Sequence, residues 1–362
     1  MSSTSRSKFV VENDSFLRLI QVVLDPNAPK ERIDAFAHFC KHDTPDFAGW
    51  CDKIRAQAQN IYPADVPLVD SQDELRRNLA GAAAAVVEEL QVGVREIAAG
   101  PDLKYVQKYG FTTRNIDGAA CANSGVKVLT IRRRANISTA EQGLMLMLAL
   151  ARQVTRNANL ISVKQLKDAG YEPTNYDRAH TPNGNWARIP GMVTLYQRQL
   201  GIIGLGEIGR ELALRALALG MRIVYTQRTR LPEEVERQYQ AAYCSLEELL
   251  SGSDVVSVHL PRSPATAGFI GRRQLSIIKP GAFLINVSQP NQVEREALRH
   301  ALASGRLGGF GLDTFYDEPG DAADPLIRFP NVIVTPHLGG SPRWNSLDDI
   351  EEVIVSLSRH LA

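Results

Sequence analysis

This chain of 362 residues has almost no net charge, few cysteines and no long apolar run. Its 41 basic and 40 acidic side chains leave a formal net charge of +1, so electrostatics does not favour nucleic acid or an anionic membrane as a partner. The apolar run at 144–151 is too short to span a bilayer, and the polar first 14 residues have no signal-peptide core. These absences favour a cytoplasmic protein that acts on a small molecule.

The few cysteines form no recognised pattern. Cys40, Cys51, Cys121 and Cys244 are scattered, without a CxxC pair or the Cys/His spacing of a zinc site. We therefore expect reduced thiols and no metal centre.

A glycine motif lies within the stretch 200–232. An apolar run at 201–203 is typical of a buried strand, Gly204-x-Gly206-x-x-Gly209 follows, and apolar residues then recur at helical spacing before a second strand at 222–225. Strand, glycine turn, helix and strand within about 30 residues is the setting in which this motif binds a dinucleotide. The three glycines would allow a tight turn, the approach of a pyrophosphate and close helix packing. Glu207 and Ile208 begin the helix whose N–H groups would hold the anion.

The residues after the second strand bear on the choice of cofactor. Enzymes that prefer NAD usually have an acid there, which accepts hydrogen bonds from the ribose. This chain has Thr226, Gln227, Arg228 and Arg230 instead. Two guanidinium groups without a carboxylate can pair with a 2′-phosphate, so the segment predicts NADP(H), with NAD(H) as the second choice. The alternative is that the two arginines only solvate a loop.

Short apolar strands alternate with amphipathic helices along the chain, which predicts an α/β fold of doubly wound parallel sheets. Its length allows two domains, each with its own core. The first dozen residues are expected to fray, and residues 16–24 are predicted as a strand. A long connector helix is expected to begin at Ser138 or Thr139, either of which can cap it, and the last helix to cover 346–360.

Several ordered motifs from about residue 103 onward resemble the D-isomer-specific 2-hydroxyacid dehydrogenases. Besides the glycine motif they are Lys108-Tyr109-Gly110, Asn115-Ile116-Asp117, Ser253-Asp254-Val255-Val256, His259-Leu260-Pro261, Lys279-Pro280-Gly281, Leu284-Ile285-Asn286, Gly311-Leu312-Asp313, Glu318-Pro319 and Thr335-Pro336-His337. The resemblance implies a Rossmann-type cofactor domain, residues 141–337, inserted into a flavodoxin-like substrate domain, residues 1–140 and 338–362. It also implies a homodimer.

The resemblance assigns an acid/base pair and further cofactor contacts. In the family a His protonates the substrate carbonyl oxygen and a Glu raises the pKa of that His, and these roles fall on His337 and Glu318. The alternative for His337 is a structural histidine at a strand end. Cofactor contacts are implied for Leu260, Pro261, Val287 and Asp313; for Asp313, capping or turn formation is the alternative.

One family role does not carry over. The catalytic Arg expected three residues after Asn286 is replaced by Gln289, while Asn286 itself stays in register. Gln donates neutral hydrogen bonds, so a substrate carboxylate would be held more weakly by roughly 1–3 kcal/mol.

A cationic cluster could supply the missing charge. Arg132, Arg133 and Arg134 occupy a loop where the family usually has a Pro-Gly turn that contacts the substrate. We expect one of them to bind substrate; the alternative is a solvated or structural cluster.

These patterns predict an NADPH-dependent reductase of a 2-oxo acid or a related carbonyl compound, with hydride from the nicotinamide and a proton from His337. The alternative is a dehydrogenase-like protein that binds NADP(H) as a sensor or regulatory partner and has lost catalysis at Gln289.

Overall fold

Two α/β units make up residues 6–362, the part of the chain that this computed structural model describes. The first unit runs to Ser138 and resumes at Gly340, and the second is Thr139–Gly339. These boundaries lie within two residues of the expected 140 and 338. The assignment of the first unit to substrate binding stays a prediction.

The first unit is built on a parallel sheet. In chain order its elements are β1 (Ser7–Glu12), α1 (Arg18–Leu24), α2 (Lys30–Cys40), α3 (Phe47–Gln57), β2 (Ala64–Asp65), β3 (Leu68–Val69), α4 (Gln72–Asn78), β4 (Ala84–Val87), α5 (Val94–Ala99), β5 (Tyr105–Lys108), α6 (Gly118–Asn123), β6 (Lys127–Leu129) and the first turn of α7 (Arg134–Ala151). The strand order is β2-β1-β4-β5-β6, with β3 also paired to β1, and every pair is parallel. Alternate strand residues enter different cores: Phe9 and Val11 enter one, and Val10 enters the other.

The second unit has the same plan. Its elements after α7 are α8 (Val154–Asn157), α9 (Val163–Asp168), β7 (Gln199–Ile203), α10 (Glu207–Ala218), β8 (Arg222–Thr226), α11 (Glu233–Gln238), β9 (Ala241–Tyr243), α12 (Leu246–Gly252), β10 (Val255–Val258), α13 (Arg272–Ile277), β11 (Phe283–Asn286), α14 (Arg295–Ala303), β12 (Gly309–Leu312) and β13 (Val332–Val334). The strand order is β13-β12-β11-β10-β7-β8-β9, again all parallel. The last helix, α15 (Trp344–Leu361), belongs to the first unit. Two α/β units with parallel sheets confirm the predicted fold class.

The N-terminal predictions were wrong. Of the dozen residues expected to fray, 7–12 form β1, which pairs with β2, β3 and β4, and residues 1–5 lie outside the described part of the chain. Residues predicted as a strand form α1, where Asp14 Oδ1 accepts the backbone N–H groups of Phe16 and Leu17. An apolar run this short fits a buried helix as well as a buried strand, so its periodicity does not separate the two.

The connector helix starts earlier than the sequence predicted. It begins at Arg134, not after Ser138 or Thr139, because a side chain remote in sequence supplies the cap. Asp349, on α15, is fully buried and accepts the backbone N–H groups of Arg134 at 2.8 Å and Ala135 at 3.4 Å. The same carboxylate also pairs with the Arg134 guanidinium at 3.2 Å.

No helix among residues 6–362 is long and apolar enough to cross a membrane. The four cysteines are free thiols, and burial raises the pKa of Cys40 and of Cys51 to about 11. A thiol that stays protonated at neutral pH is a poor nucleophile, so these two are structural.

Replacing Asp349 with Ala should lower the free energy of unfolding by about 2–3 kcal/mol, because it removes a helix cap and a buried ion-pair partner. Asp349→Asn keeps one acceptor and should lose about half of that. The matched control is Glu352→Gln, which breaks the more exposed pair with Arg134 at 2.8 Å and should cost under about 0.5 kcal/mol. Urea denaturation measures all three, and equal stability of Asp349→Ala and Glu352→Gln would contradict the cap.

Candidate functional site

The glycine loop lies at the carboxyl end of β7. Gly204 has a φ of +93°, and a Cβ there would lie 2.6 Å from the carbonyl oxygen of His259. A Cβ on Gly209 would lie 2.6 Å from the carbonyl oxygen of Gly204, so only glycine lets α10 approach the loop this closely. Gly206 precedes the first residue of α10, Glu207, and faces open space where its Cβ would be. The glycines thus allow a tight turn directly before the N-terminus of α10. Such a turn fits the pyrophosphate of a dinucleotide.

The end of β8 adjoins this loop. Thr226 is buried and its carbonyl oxygen accepts the N–H of Gly204 at 2.9 Å. The side chain of Gln227 accepts the N–H of Leu205 at 3.2 Å and donates to the carbonyl oxygen of Thr229 at 2.7 Å. Gln227 thus spans the two loops without adding a negative charge.

The two arginines of this segment differ. Arg230 donates to both carboxylate oxygens of Glu236, at 2.9 and 2.8 Å, and Tyr225 donates to the same carboxylate at 2.7 Å. Hydrogen bonds from Arg230 hold the pKa of Glu236 down to about 2. Arg228 is exposed, and no hydrogen bond or ion pair forms between its side chain and the described residues. Only Arg228 therefore has its whole guanidinium available for a ligand.

Asp313 organises the turn that carries His337. Its carboxylate is buried and accepts four hydrogen bonds: from the Gln142 amide at 3.0 Å, the Thr335 hydroxyl at 2.6 Å, and the backbone N–H groups of Leu338 at 2.9 Å and Gly339 at 2.6 Å. These contacts match the turn-forming alternative for Asp313. A contact with the nicotinamide stays a prediction.

His337 and Glu318 are adjacent. Nδ1 of His337 lies 2.9 Å from Oε2 of Glu318, whose other oxygen accepts the backbone N–H of Phe315 at 3.0 Å. The His337 side chain is 59% exposed, so solvent and a ligand can reach it. Its backbone has a φ of +57°, and its N–H donates to the carbonyl oxygen of Asp313 at 2.8 Å. With Nδ1 bonded to a carboxylate, Nε2 is the ring atom that can exchange a proton with a substrate.

A tight turn follows β11. The amide of Asn286 donates to the carbonyl oxygen of Gln289 at 2.9 Å and accepts the N–H of Ser288 at 2.9 Å. Gln289 is half-buried, and its side chain forms no hydrogen bond among residues 6–362. A buried amide, Gln292, then ties this turn to the carbonyl oxygens of Leu260 and Pro261 at 2.8 and 3.2 Å.

The remaining predicted cofactor contacts lie nearby in the second unit. Val287 is buried 3.6 Å from the position of a Cβ on Gly143, and Ile208 packs at the edge of the same core. Their contact with a cofactor stays a prediction.

The arginine cluster belongs to the first unit. Arg133 pairs with Glu88 at 2.6 Å, and its guanidinium carbon lies 4.0 Å from the centre of the Tyr109 ring. Burial raises the pKa of Glu88 to about 7, against the lowering effect of Arg133. Arg134 pairs with Asp349, and Arg132 is exposed. Two of the three predicted substrate ligands are therefore bound to carboxylates of their own unit.

Residues 144–339 match the profile of the D-isomer-specific 2-hydroxyacid dehydrogenase NAD-binding domain. The chain belongs to this family. Its members are NAD(P)-dependent oxidoreductases that act on the CH–OH group of hydroxy acids, and the chain is assigned to that class.

Individual relatives agree with the family assignment. The chain is 32% identical over 315 residues to D-3-phosphoglycerate dehydrogenase of Archaeoglobus fulgidus, a match that covers 86% of this chain and 56% of that protein. It is 33% identical over 243 residues to glyoxylate reductase of Thermococcus litoralis, which covers 67% of this chain and 69% of the relative. A crystal structure of a Thermus thermophilus protein is 30% identical, covers 83% of this chain and 91% of its own, and superposes with a TM-score of 0.51.

Three residues that hold predicted site residues in place were missed from the sequence. Glu236, which binds Arg230, lies among three acids of α11 that the sequence does not distinguish. Gln142 gave a weak signal as a polar residue within an apolar helix. Glu88 gave the clearest one, since it directly follows the buried strand β4, and carboxyl ends of parallel strands carry functional side chains.

Proposed function

We propose that the protein is an NADPH-dependent reductase of a 2-oxo acid or a related carbonyl compound. The observation that carries the proposal is the 2.9 Å contact between His337 and Glu318, a histidine–carboxylate pair suited to proton transfer. The glyoxylate reductase name of the Thermococcus relative supports a small 2-oxo acid as substrate. The alternative role as a sensor is not favoured, because a protein without catalysis would have no use for this pair.

The proton step follows from the geometry of the pair. Glu318 accepts the hydrogen bond from Nδ1 of His337 and orients the ring, so Nε2 can donate a proton to the carbonyl oxygen. When bound, the nicotinamide supplies the hydride to the carbonyl carbon. The product is the hydroxy compound, and neutral His337 regains its proton from solvent, to which it is open.

The positive charge that binds the substrate carboxylate is assigned to a different place from that in the family. Gln289 offers hydrogen bonds but no positive charge to a carboxylate, so we assign that charge to the cluster Arg132, Arg133 and Arg134. At Arg133 a substrate carboxylate would compete with Glu88, which holds this guanidinium at 2.6 Å. Arg134 is bound to Asp349 and serves the helix cap as well.

Replacing His337 with Ala should lower turnover by about 10²- to 10⁴-fold and leave NADPH binding intact, because it removes only the proton donor. Glu318→Gln keeps a hydrogen-bond partner without the charge and should lower turnover by about 10- to 100-fold. Turnover is measured as the steady-state rate with NADPH on glyoxylate, hydroxypyruvate and other oxo acids. NADPH binding is measured by fluorescence titration.

The matched control is His180→Gln, which breaks another exposed histidine–carboxylate pair, with Asp177 at 2.7 Å, and should leave turnover unchanged. Full activity of His337→Ala would overturn the mechanism. NADPH binding without turnover on any oxo acid would overturn the reductase and favour the sensor.

We propose that Arg228 gives the preference for NADPH, because its guanidinium is exposed beside a loop that lacks a carboxylate. Arg228→Gln should raise the KM for NADPH about tenfold or more and leave that for NADH unchanged, since only NADPH carries the 2′-phosphate. Arg237→Gln is the control, because Arg237 is exposed on α11 and paired with Glu233 at 3.0 Å. An equal rise of both KM values would argue against this assignment.

We also propose a homodimer held by the second unit. Apolar side chains on and beside α8 and α9 are exposed: Ile161 by 80%, Val163 by 53% and Val154 by 46%. A second copy would cover them and remove this surface from water. Sedimentation analysis should give twice the chain mass, and the double variant Ile161→Ser, Val163→Ser should shift it toward the monomer. A monomer at micromolar concentration would rule the dimer out.

A further inference from the structure

Two neighbouring helices of the second unit, α13 and α14, and the turn after α14 line a cavity of about 280 Å³ that is open to solvent on one side. Its apolar lining comes from Leu275, Ala297 and Ala301, all buried in the core behind it. Its charged or polar lining includes Arg272, His300 and Arg306. None of these residues belongs to the glycine loop, the Gln289 turn or the His337–Glu318 pair.

The charges of this cavity are not balanced. No acidic side chain lines it, although two arginines and a histidine do. Among residues 6–362, Arg306 forms no ion pair, and its Nε is buried without a hydrogen-bond acceptor. The neighbouring Arg273 behaves as surface arginines usually do and pairs with Glu247 at 3.1 Å. Because Arg306 has no carboxylate partner in that part of the chain, an anion that enters the cavity can contact its terminal N–H groups without breaking an ion pair.

We propose that this cavity binds a small phosphate monoester with a short apolar body. Two guanidinium groups and an imidazole suit a dianion better than a single carboxylate, because Arg pairs with phosphate oxygens through parallel N–H groups. The apolar wall of Leu275, Ala297 and Ala301 suits a short hydrocarbon portion. The cavity volume lies close to the lower end of the range for small-molecule sites, about 300 Å³. The proposal does not depend on the reductase activity.

Calorimetric titration with n-butyl phosphate tests the proposal. The protein is first saturated with NADP⁺, so that its phosphate groups fill the dinucleotide site. One further site should then be titrated. Arg306→Gln and Arg272→Gln should each weaken it about tenfold or more, because each removes a charge-assisted hydrogen bond. Arg273→Gln is the matched control and should bind n-butyl phosphate as the unaltered protein does. Butyrate should bind at least tenfold more weakly.

Several outcomes would overturn the site. They are no binding at millimolar n-butyl phosphate, binding by Arg306→Gln and Arg272→Gln as tight as that of the unaltered protein, and equal affinity for butyrate and n-butyl phosphate. Tighter binding of hexaglutamate than of n-butyl phosphate would also overturn it and indicate an acidic protein partner. Thermal melting of each variant without ligand checks its folding. Arg272 is exposed, so Arg272→Gln keeps the test decisive if Arg306→Gln is unstable.

Discussion

The buried carboxylate of Asp313 is the interaction on which the geometry of the acid/base pair depends. Asp313 directly follows β12, and its carboxylate accepts four hydrogen bonds, two of them from the backbone just after His337. His337 has a left-handed backbone that costs about 1–3 kcal/mol in a residue with a side chain, and this network offsets that cost. The backbone of His337 is therefore positioned by the sheet, through Asp313, while Glu318 orients its imidazole ring.

Features with a local cause were predictable from the sequence. Gly204 and Gly209 have spacing that only a strand–turn–helix unit explains, and the structure shows the backbone atoms that exclude a side chain there. The start of α7 was not predictable, because its cap, Asp349, lies more than 200 residues later in the chain. The prediction for residues 16–24 failed for a different reason: a short stretch that is mostly apolar is compatible with a buried helix and with a buried strand.

Charge alone did not reveal which arginines can bind a ligand. Arg228 and Arg230 are two positions apart and chemically identical, yet Glu236 binds two guanidinium nitrogens of Arg230 and leaves Arg228 open. The same contrast separates Arg133, which is held by Glu88, from Arg306, whose Nε is buried without an acceptor. Arginines without a carboxylate partner are the better candidates for anion sites, because binding an anion there breaks no existing ion pair.

The placement of α15 has a consequence for how the protein forms on the ribosome. Ile350, Val353 and Leu357 fill the core of the first unit, and Asp349 caps the start of α7, although these residues are translated after the whole second unit. At about 5–20 residues per second, the intervening stretch of about 200 residues takes roughly 10–40 s to synthesise. During that time the earlier segment has an open hydrophobic groove. The second unit, whose chain is continuous, can therefore finish folding before the unit that began first.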